Sequence, residues 1–268
     1  MRKIGFILSV AVLLFCGCQT KQDSPVRMVS HTYTLHTNDT ISELSPSTLH
    51  MDFKVEWPCR EDSAIEVIRQ SVLNSVFGPY APGHTIEDAL LLFADTIREE
   101  YRSELAADEE EGYINEEGSR TEYIMRLSID DPCECFLNFE LYCEENNNQA
   151  PHGTHSTYYY CYDRRTGQNI TEDQLFKGDY KEELTKLITE AIWRSYRTRG
   201  AVRSLEFVGL DVEEAEPNEN FYISGDCITY YYQENELGCY AAGPQTAVVQ
   251  LEDMREYLRD TTIIHHHE

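Results

Sequence analysis

The strongest constraint on the fold is a stretch in which apolar and polar residues alternate strictly. Five apolar residues are each separated from the next by one polar residue: Leu49, Met51, Phe53, Val55 and Trp57. Because successive side chains of a β-strand point to opposite faces, this period of two predicts a strand with one buried face. Similar alternation over residues 123–129 and 135–143, with a run of β-forming residues over 157–162, predicts three antiparallel strands in sequence.

Helical periodicity separates these strands and returns in the second half of the chain. A capping box formed by Ser63 and Glu66 opens a first helix, which ends at Gly78, and Thr85 caps a second, longer helix. Asp179 caps a further helix. Strands over 221–223, 228–232 and 246–249 and a closing helix over 251–258 complete the pattern. The sequence therefore predicts an α+β fold.

The first eighteen residues have the features of a bacterial secretion signal. Two basic residues precede an almost continuously apolar stretch over residues 4–15, which is too short to span a bilayer core of about 30 Å. The end of this stretch resembles a lipobox, in which Cys18 is acylated and becomes the first residue of the mature protein. We therefore expect a lipoprotein signal over 1–18, a lipid on Cys18 that anchors the protein to the membrane, and a polar tether over 19–30. The alternative is an ordinary signal peptide that happens to contain a cysteine. Either signal predicts export, and the lipobox predicts a bacterial cell-envelope protein that faces the periplasm or the cell exterior.

Acidic residues outnumber basic ones by 48 to 22, which gives a formal net charge of −26. Removal of residues 1–17 takes away two basic residues, so the mature chain carries 20 basic against 48 acidic residues, or −28. Such a charge argues against nucleic acid as a partner and favours cationic partners. The sequence contains no nucleophile elbow, zinc-protease motif, phosphate-binding loop or dinucleotide fingerprint. We therefore expect no catalytic residues and no cofactor.

The chain has nine cysteines, and export would permit disulfides. The predicted strand that starts at Cys227 runs into a polar turn and returns towards Cys239, which would place these two residues opposite each other in a hairpin. Cys135 and Cys161 form the competing pair across another hairpin, and the connectivity stays open. We predict no metal site, since Cys133 and Cys135 are closer in sequence than the usual ligands of structural zinc.

Two ordered signatures resemble the extracytoplasmic region of RsiV-like proteins. The first is Ala150-Pro-His-Gly153, followed by a tyrosine-rich strand that ends in Asp163-x-x-Thr-Gly167. The second is a tyrosine-rich hairpin that contains Asn220-Phe-Tyr-Ile-Ser and Ile228-Thr-Tyr-Tyr-Tyr and is closed by Tyr240-Ala-Ala-Gly-Pro. The region before them is similar to the PdaC/SigV-type domain that usually precedes such a region. The resemblance implies two small mixed domains with antiparallel sheets and packed helices: a PdaC/SigV-type domain over 31–163 and an RsiV-like domain over 164–260, followed by a tail over 261–268.

The same resemblance implies ligand binding. Anti-sigma members of the family capture lysozyme, a basic protein that suits an acidic surface, although their cytoplasmic sigma-binding segment and transmembrane helix are absent from this sequence. We expect a non-catalytic envelope lipoprotein that binds a lysozyme-like basic protein or a cell-wall fragment. The candidate ligand-binding residues are His152, Gly153, Tyr159, Tyr231 and Tyr240. Two alternatives stay open: the tyrosines pack within the sheets, or the chain is an envelope enzyme that acts on peptidoglycan or another glycan near His152.

Overall fold

A computed structural model of the chain describes residues 28–42, 44–79, 81–115, 117–131, 135–199, 210 and 215–261. The expected signal over 1–18 with its lipidation site Cys18, most of the tether, Cys133 and all but the first residue of the tail lie outside the described residues. Among the helices that are described, none is both long enough and apolar enough to cross a membrane.

The N-terminal unit is a five-stranded sheet with two helices on one face. Its elements are β1 (Ser30–Ser42), β2 (Ser47–Pro58), α1 (Ser63–Phe77), α2 (Ile86–Glu110), β3 (Arg120–Asp130), β4 (Phe136–Asn147) and β5 (Thr154–Asp163). The strands lie side by side in sequence order, and β2 and β3 are parallel while the other neighbours are antiparallel. The three strands that were predicted to be antiparallel, β3, β4 and β5, are confirmed. The expectation of antiparallel sheets does not hold for β2 and β3, because α1 and α2 form the long crossover that a parallel pair requires.

The predicted strands and helices of this unit are confirmed, with two differences. The alternating residues of β2 have their apolar side chains in the core, with Leu49 and Phe53 both 0% exposed. Thr85 caps α2 as predicted, since its hydroxyl accepts a hydrogen bond from the backbone N–H of Asp88. The cap of α1 is Asp62 rather than Ser63, because the Asp62 carboxylate accepts from the N–H of Ala64 at 2.8 Å. The edge strand β1 was not predicted.

The C-terminal unit packs a three-stranded antiparallel sheet against one long helix. Its elements are α3 (Glu172–Leu175), α4 (Tyr180–Arg199), β6 (Phe221–Ser224), β7 (Cys227–Tyr232) and β8 (Gln245–Gln250). The sheet order is β6-β7-β8, and α4 packs on β8. The predicted closing helix over 251–258 is wrong: only Leu251–Met254 forms a short 3₁₀ turn. Leu258 instead bridges Phe176, and the carbonyl of Tyr257 accepts from the N–H of Lys177, so this segment pairs with the residues that follow α3.

The hairpin β4–β5 contributes side chains to both hydrophobic cores. On one face, Phe139 and Tyr162 pack with the helices α1 and α2 in the core of the N-terminal unit. On the other face, Phe136 and Cys161 pack with the core of the C-terminal unit. Asn138 lies on the same face as Phe136 and Cys161 and is 1% exposed. Its side-chain amide donates a hydrogen bond to the carbonyl of Ile223 at 2.9 Å. The fold class α+β is thus confirmed, and the two units are joined along this hairpin.

Candidate ligand-binding site

Three tyrosines from the two units meet at their junction. Tyr159 lies on β5, and its ring centroid is 4.7 Å from that of Tyr222 on β6 and 5.8 Å from that of Tyr231 on β7. All three side chains are half-buried. Tyr222 and Tyr231 belong to the face of their sheet that points away from the core residues Phe221 and Tyr230, because the two sets alternate along β6 and β7. The structure therefore brings together the predicted candidates Tyr159 and Tyr231, and it adds Tyr222 to them.

Two amide side chains fix this junction by binding the free edge of β5. The Asn220 side chain accepts from the N–H of Tyr159 at 2.8 Å and donates to the carbonyl of Thr157 at 3.0 Å. The Gln233 side chain accepts from the N–H of Thr157 at 3.0 Å and also donates to its carbonyl. Edge strands expose unpaired backbone groups, so these amides satisfy groups that a further strand would otherwise pair. Asn220 also donates to the carbonyl of Tyr231, which ties β5 to β7.

Carboxylates lie beside the tyrosines on the outer face of the N-terminal sheet. The hydroxyl of Tyr159 donates to Glu140 at 3.0 Å, and the hydroxyl of Tyr142 donates to Glu144 at 2.7 Å. Burial first, and the bond to Glu144 second, raise the pKa of Tyr142 to about 12. The bond from Tyr142 is in turn the main cause that lowers the pKa of Glu144. The site therefore presents phenol hydroxyls beside carboxylate oxygens, a combination that can recognise hydroxyl, amide and cationic groups.

The candidates His152 and Gly153 immediately precede β5, and the candidate Tyr240 contacts His152 from the C-terminal unit. The rings of His152 and Tyr240 are stacked, with centroids 4.4 Å apart and an interplanar angle of 22°. Gly153 lies so close to the neighbouring strand that a Cβ atom there would be 2.8 Å from the backbone carbonyl oxygen of Glu145 and 1.9 Å from the side-chain oxygen of Asn146, so a larger residue would force the strand to shift. These residues form a second contact between the units, and the segment from Tyr231 to Tyr240 links it to the tyrosine cluster.

A cleft of about 570 Å³ opens beside Asn220. It is lined in part by Tyr158, Tyr160, Asn218 and Glu236. The exposed side chain of Tyr158 offers a ring at its mouth, with 44% of its surface accessible. Apolar rings beside amides and carboxylates are typical of ligand sites.

The predicted pairing of Cys227 with Cys239 does not occur in the structure, where both are free thiols. Cys227 begins β7, where it lies opposite Ser224 and Gln250, while Cys239 follows the far end of the same strand. The residues after that end form a turn and a 3₁₀ helix, Tyr240–Ala242, in place of the returning strand. Cys161 lies opposite Asn138 on β4, and no disulfide joins it to Cys135 or links any other pair of described cysteines.

The sequence did not identify the groups that hold the junction together. Tyr222, Asn220 and Gln233 lie more than 60 residues from Thr157 and Tyr159 along the chain, so local patterns carry no sign of the contact. The one available signal was the second signature, which contains Asn220 and Tyr222 but does not say what they touch. No group of three or more His, Cys, Asp or Glu side chains within the described part of the chain is arranged to hold a metal ion.

Comparison with known proteins gives a family match for part of the chain and a shared fold for most of it. A member of the DUF3298 family from Bacteroides fragilis NCTC 9343, known from a crystal structure, is 20% identical, with a TM-score of 0.72 over 89% of this chain and 97% of that one. A DUF3298 family protein from Pseudomonas aeruginosa PAO1 is 9% identical, with a TM-score of 0.52 over 87% of this chain and 96% of that one. The comparison with curated proteins gives no match. Residues 173–252, which include most of the C-terminal unit, match the family described as Protein of unknown function (DUF3298).

Proposed function

We propose that this protein is a non-catalytic lipoprotein of the bacterial cell envelope that binds a ligand at the junction of its two units. The observation that carries the proposal is the cluster of Tyr159, Tyr222 and Tyr231, half-buried tyrosines that come from both units. Tyrosine supplies a large contact area at a low cost in conformational entropy and offers a hydroxyl for hydrogen bonding. Because the three rings are only half-buried, part of each ring stays accessible to a ligand.

A basic protein of the lysozyme type is the ligand that the charge of the chain favours. The formal net charge is −26. Glu140 accepts a hydrogen bond from Tyr159 of the cluster, and Glu144 accepts one from Tyr142 on the same sheet. Long-range attraction of a cationic protein to such a surface accelerates their encounter by about 10 to 10³-fold at low salt. A cell-wall fragment is the other ligand of the proposal, since it carries amides and hydroxyls that phenols and carboxylates can bind.

Binding of the chain from residue 25 onward to lysozyme and to purified muropeptides tests the proposal. We expect lysozyme binding that weakens between low salt and about 0.15 M, where the Debye length is about 8 Å. Cytochrome c is the control for non-specific attraction to an acidic surface and should bind more weakly. Product analysis of the muropeptide mixture tests the alternative of an envelope enzyme, because only an enzyme would turn the fragments over.

Substitution at the junction separates specific recognition from general charge. Tyr231→Ala removes one of the three rings without changing the net charge, and we expect it to weaken ligand binding several-fold. Leu91→Ala is the control, since it removes an exposed apolar side chain from α2 without changing the net charge, and 53% of the Leu91 surface is accessible. If both variants bind like the parent protein, or if cytochrome c binds as tightly as lysozyme, the junction is not a specific site.

A further inference from the structure

A second cleft lies in the N-terminal unit, near the C-terminal end of α2. Its volume is about 610 Å³. Its lining residues come from α2, from residues 113–115 and 119 that follow this helix, and from β1, β2, β3 and β4 near their ends. Neither the sequence signatures nor the proposed junction site accounts for it.

The charged residues that line this cleft are all acidic. Three carboxylates line it, those of Glu104, Asp108 and Glu145, and none of the lining residues is lysine, arginine or histidine. Within the part of the chain that the structure describes, none of the three forms an ion pair with a basic side chain. Other acids of α2 do form such pairs: Asp95 with Arg98, and Glu99 with Arg102. A concave surface with charges of one sign concentrates the field and attracts ions of the opposite sign.

Aromatic and apolar groups complete the cleft. The hydroxyl of Tyr101 is hydrogen-bonded to Glu145, and burial followed by this bond raises the pKa of Tyr101 far above its usual value. At the rim, Tyr113 and Ile114 are large apolar residues that expose 70% and 48% of their surfaces. Aromatic faces attract cations, and apolar rims accept the hydrocarbon part of a ligand.

The walls of the cleft are fixed by hydrogen bonds, so the site is formed before any ligand arrives. The carboxylate of Glu109 accepts from the hydroxyl of Ser42 at 2.6 Å and from the N–H of Ser45 at 3.1 Å. The hydroxyl of Ser45 then accepts from the N–H of Asn115 in the rim loop at 3.2 Å. Gly118 closes this loop with φ at +74°, and a Cβ atom there would be 2.0 Å from the carbonyl oxygen of Pro46. A preformed site loses less conformational entropy on binding.

We propose that this cleft binds an ammonium or guanidinium group carried on an apolar stem. The stem lies against Ile114 and Leu105, the cation lies among Glu104, Asp108 and Glu145, and the ring of Tyr113 covers it. The same chemistry belongs to a free polyamine and to a lysine or arginine side chain of a protein. This inference goes beyond the proposed function, because it concerns a different cleft and does not depend on what the junction binds.

The test uses the purified full-length chain and follows its ¹H–¹⁵N amide signals during titration with n-butylamine. We expect saturable shifts at residues 101–119 and 145–149, and weaker or absent shifts with 1-butanol, which has the same stem without the charge. Glu145→Gln keeps a hydrogen-bonding group for Tyr101 and should weaken binding by up to about fivefold, as for an exposed ion pair. Tyr113→Ala should weaken it by about two- to fivefold, as for an exposed cation–π contact.

Glu256→Gln is the matched control, because it removes the same charge from an exposed position in the C-terminal unit and should leave the affinity unchanged. Tyr231→Ala should also leave it unchanged, which separates this cleft from the junction. Spermidine and the peptide acetyl-Lys-Lys-Lys-amide distinguish a free amine from a protein-borne one. The inference fails if n-butylamine causes no localised shifts, if 1-butanol causes the same shifts, if neither Glu145→Gln nor Tyr113→Ala changes the affinity, or if Ca²⁺ displaces the amine stoichiometrically.

Discussion

The side chain of Asn220 holds the two units together, so its removal should destabilise the protein. It makes three hydrogen bonds to backbone groups: from the N–H of Tyr159 at 2.8 Å, to the carbonyl of Thr157 at 3.0 Å and to the carbonyl of Tyr231 at 3.2 Å. Each such bond contributes about 1 kcal/mol, so Asn220→Ala should lower the free energy of unfolding by about 3 kcal/mol. Asn220→Asp keeps the acceptor for Tyr159 but loses the two donated bonds, so its effect should be intermediate at neutral pH.

Urea unfolding followed by circular dichroism and by tryptophan fluorescence measures this effect. The two tryptophans report on different units, since Trp57 lies on β2 and Trp193 on α4. Variants that retain one tryptophan each would show whether the loss of Asn220 separates the two transitions. We expect one shared transition in the parent protein and a loss of coincidence in Asn220→Ala.

The matched control is Asn169→Ala, because Asn169 lines the same cleft and its side chain forms no hydrogen bond with any residue that the structure describes. This variant should change the free energy of unfolding by less than about 0.5 kcal/mol, as for most surface substitutions. The reasoning is refuted if Asn220→Ala is no more destabilising than Asn169→Ala.

Four further predictions test other parts of the account. Cys18→Ser should abolish palmitate labelling of the protein in its bacterial host, whereas an unchanged label would exclude a lipid at that position. Asp131→Ala should destabilise the protein by about 3–5 kcal/mol in urea unfolding, because its carboxylate pairs with Arg164 and both side chains are less than 10% exposed; a loss under 1 kcal/mol would contradict this role. Burial raises the pKa of Glu172, so the folded state holds the Glu172 proton more tightly than the unfolded state does. The free energy of unfolding should therefore fall as the pH rises from the usual pKa of glutamate through the raised pKa. Glu172→Gln should remove this dependence in unfolding measured across that pH range. Alkylation of the unreduced protein should label Cys227 and Cys239 separately, and recovery of a peptide pair joined through them would show that the hairpin first expected from the sequence does form.

The strand β2 of the N-terminal sheet was predictable because it buries mainly one face. In β2, the residues Leu49 to Trp57 alternate so strictly that the sequence alone identifies both the strand and its buried side. The edge strand β1 lacks this signal: Tyr33 and Leu35 are only half-buried, and polar residues follow at the next inward positions, Thr37 and Asp39. An edge strand with little burial leaves little trace in the sequence.

The closing segment of the chain shows how tertiary contacts override a local pattern. Leu251, Met254 and Leu258 recur at helical spacing, and all three side chains are buried as a helix would bury them. The 3₁₀ helix nevertheless ends at Met254, and only one hydrogen-bonded turn follows it, in which the N–H of Leu258 donates to the carbonyl of Met254. The helix does not continue beyond this turn, because the carbonyl of Tyr257 accepts from Lys177 and the N–H of Arg259 donates to Leu175. These partners are about 80 residues away, so the local pattern predicts the buried face correctly and the backbone wrongly.

The candidate site was predictable only as a set of residue types. Tyr159 and Tyr231 were selected for their positions in tyrosine-rich segments, but their contact joins residues on different sheets. Asn220 and Gln233 had no feature that sets them apart from other surface amides. Their role exists only because β5 ends the N-terminal sheet with an unpaired edge, which the C-terminal unit then covers.

This arrangement has a consequence for how a site at the junction depends on the fold. Tyr159 belongs to β5, whereas Tyr222 and Tyr231 belong to β6 and β7, so neither unit contains the complete cluster. The side chains of Asn220 and Gln233 also form hydrogen bonds with backbone atoms of β5. These backbone atoms hold their positions only while β5 is paired with β4. In addition, Phe136 and Cys161 of that hairpin are buried by the C-terminal unit. Folding of both units and their docking are therefore required before the three rings meet, and any ligand that needs all three rings binds only the docked protein.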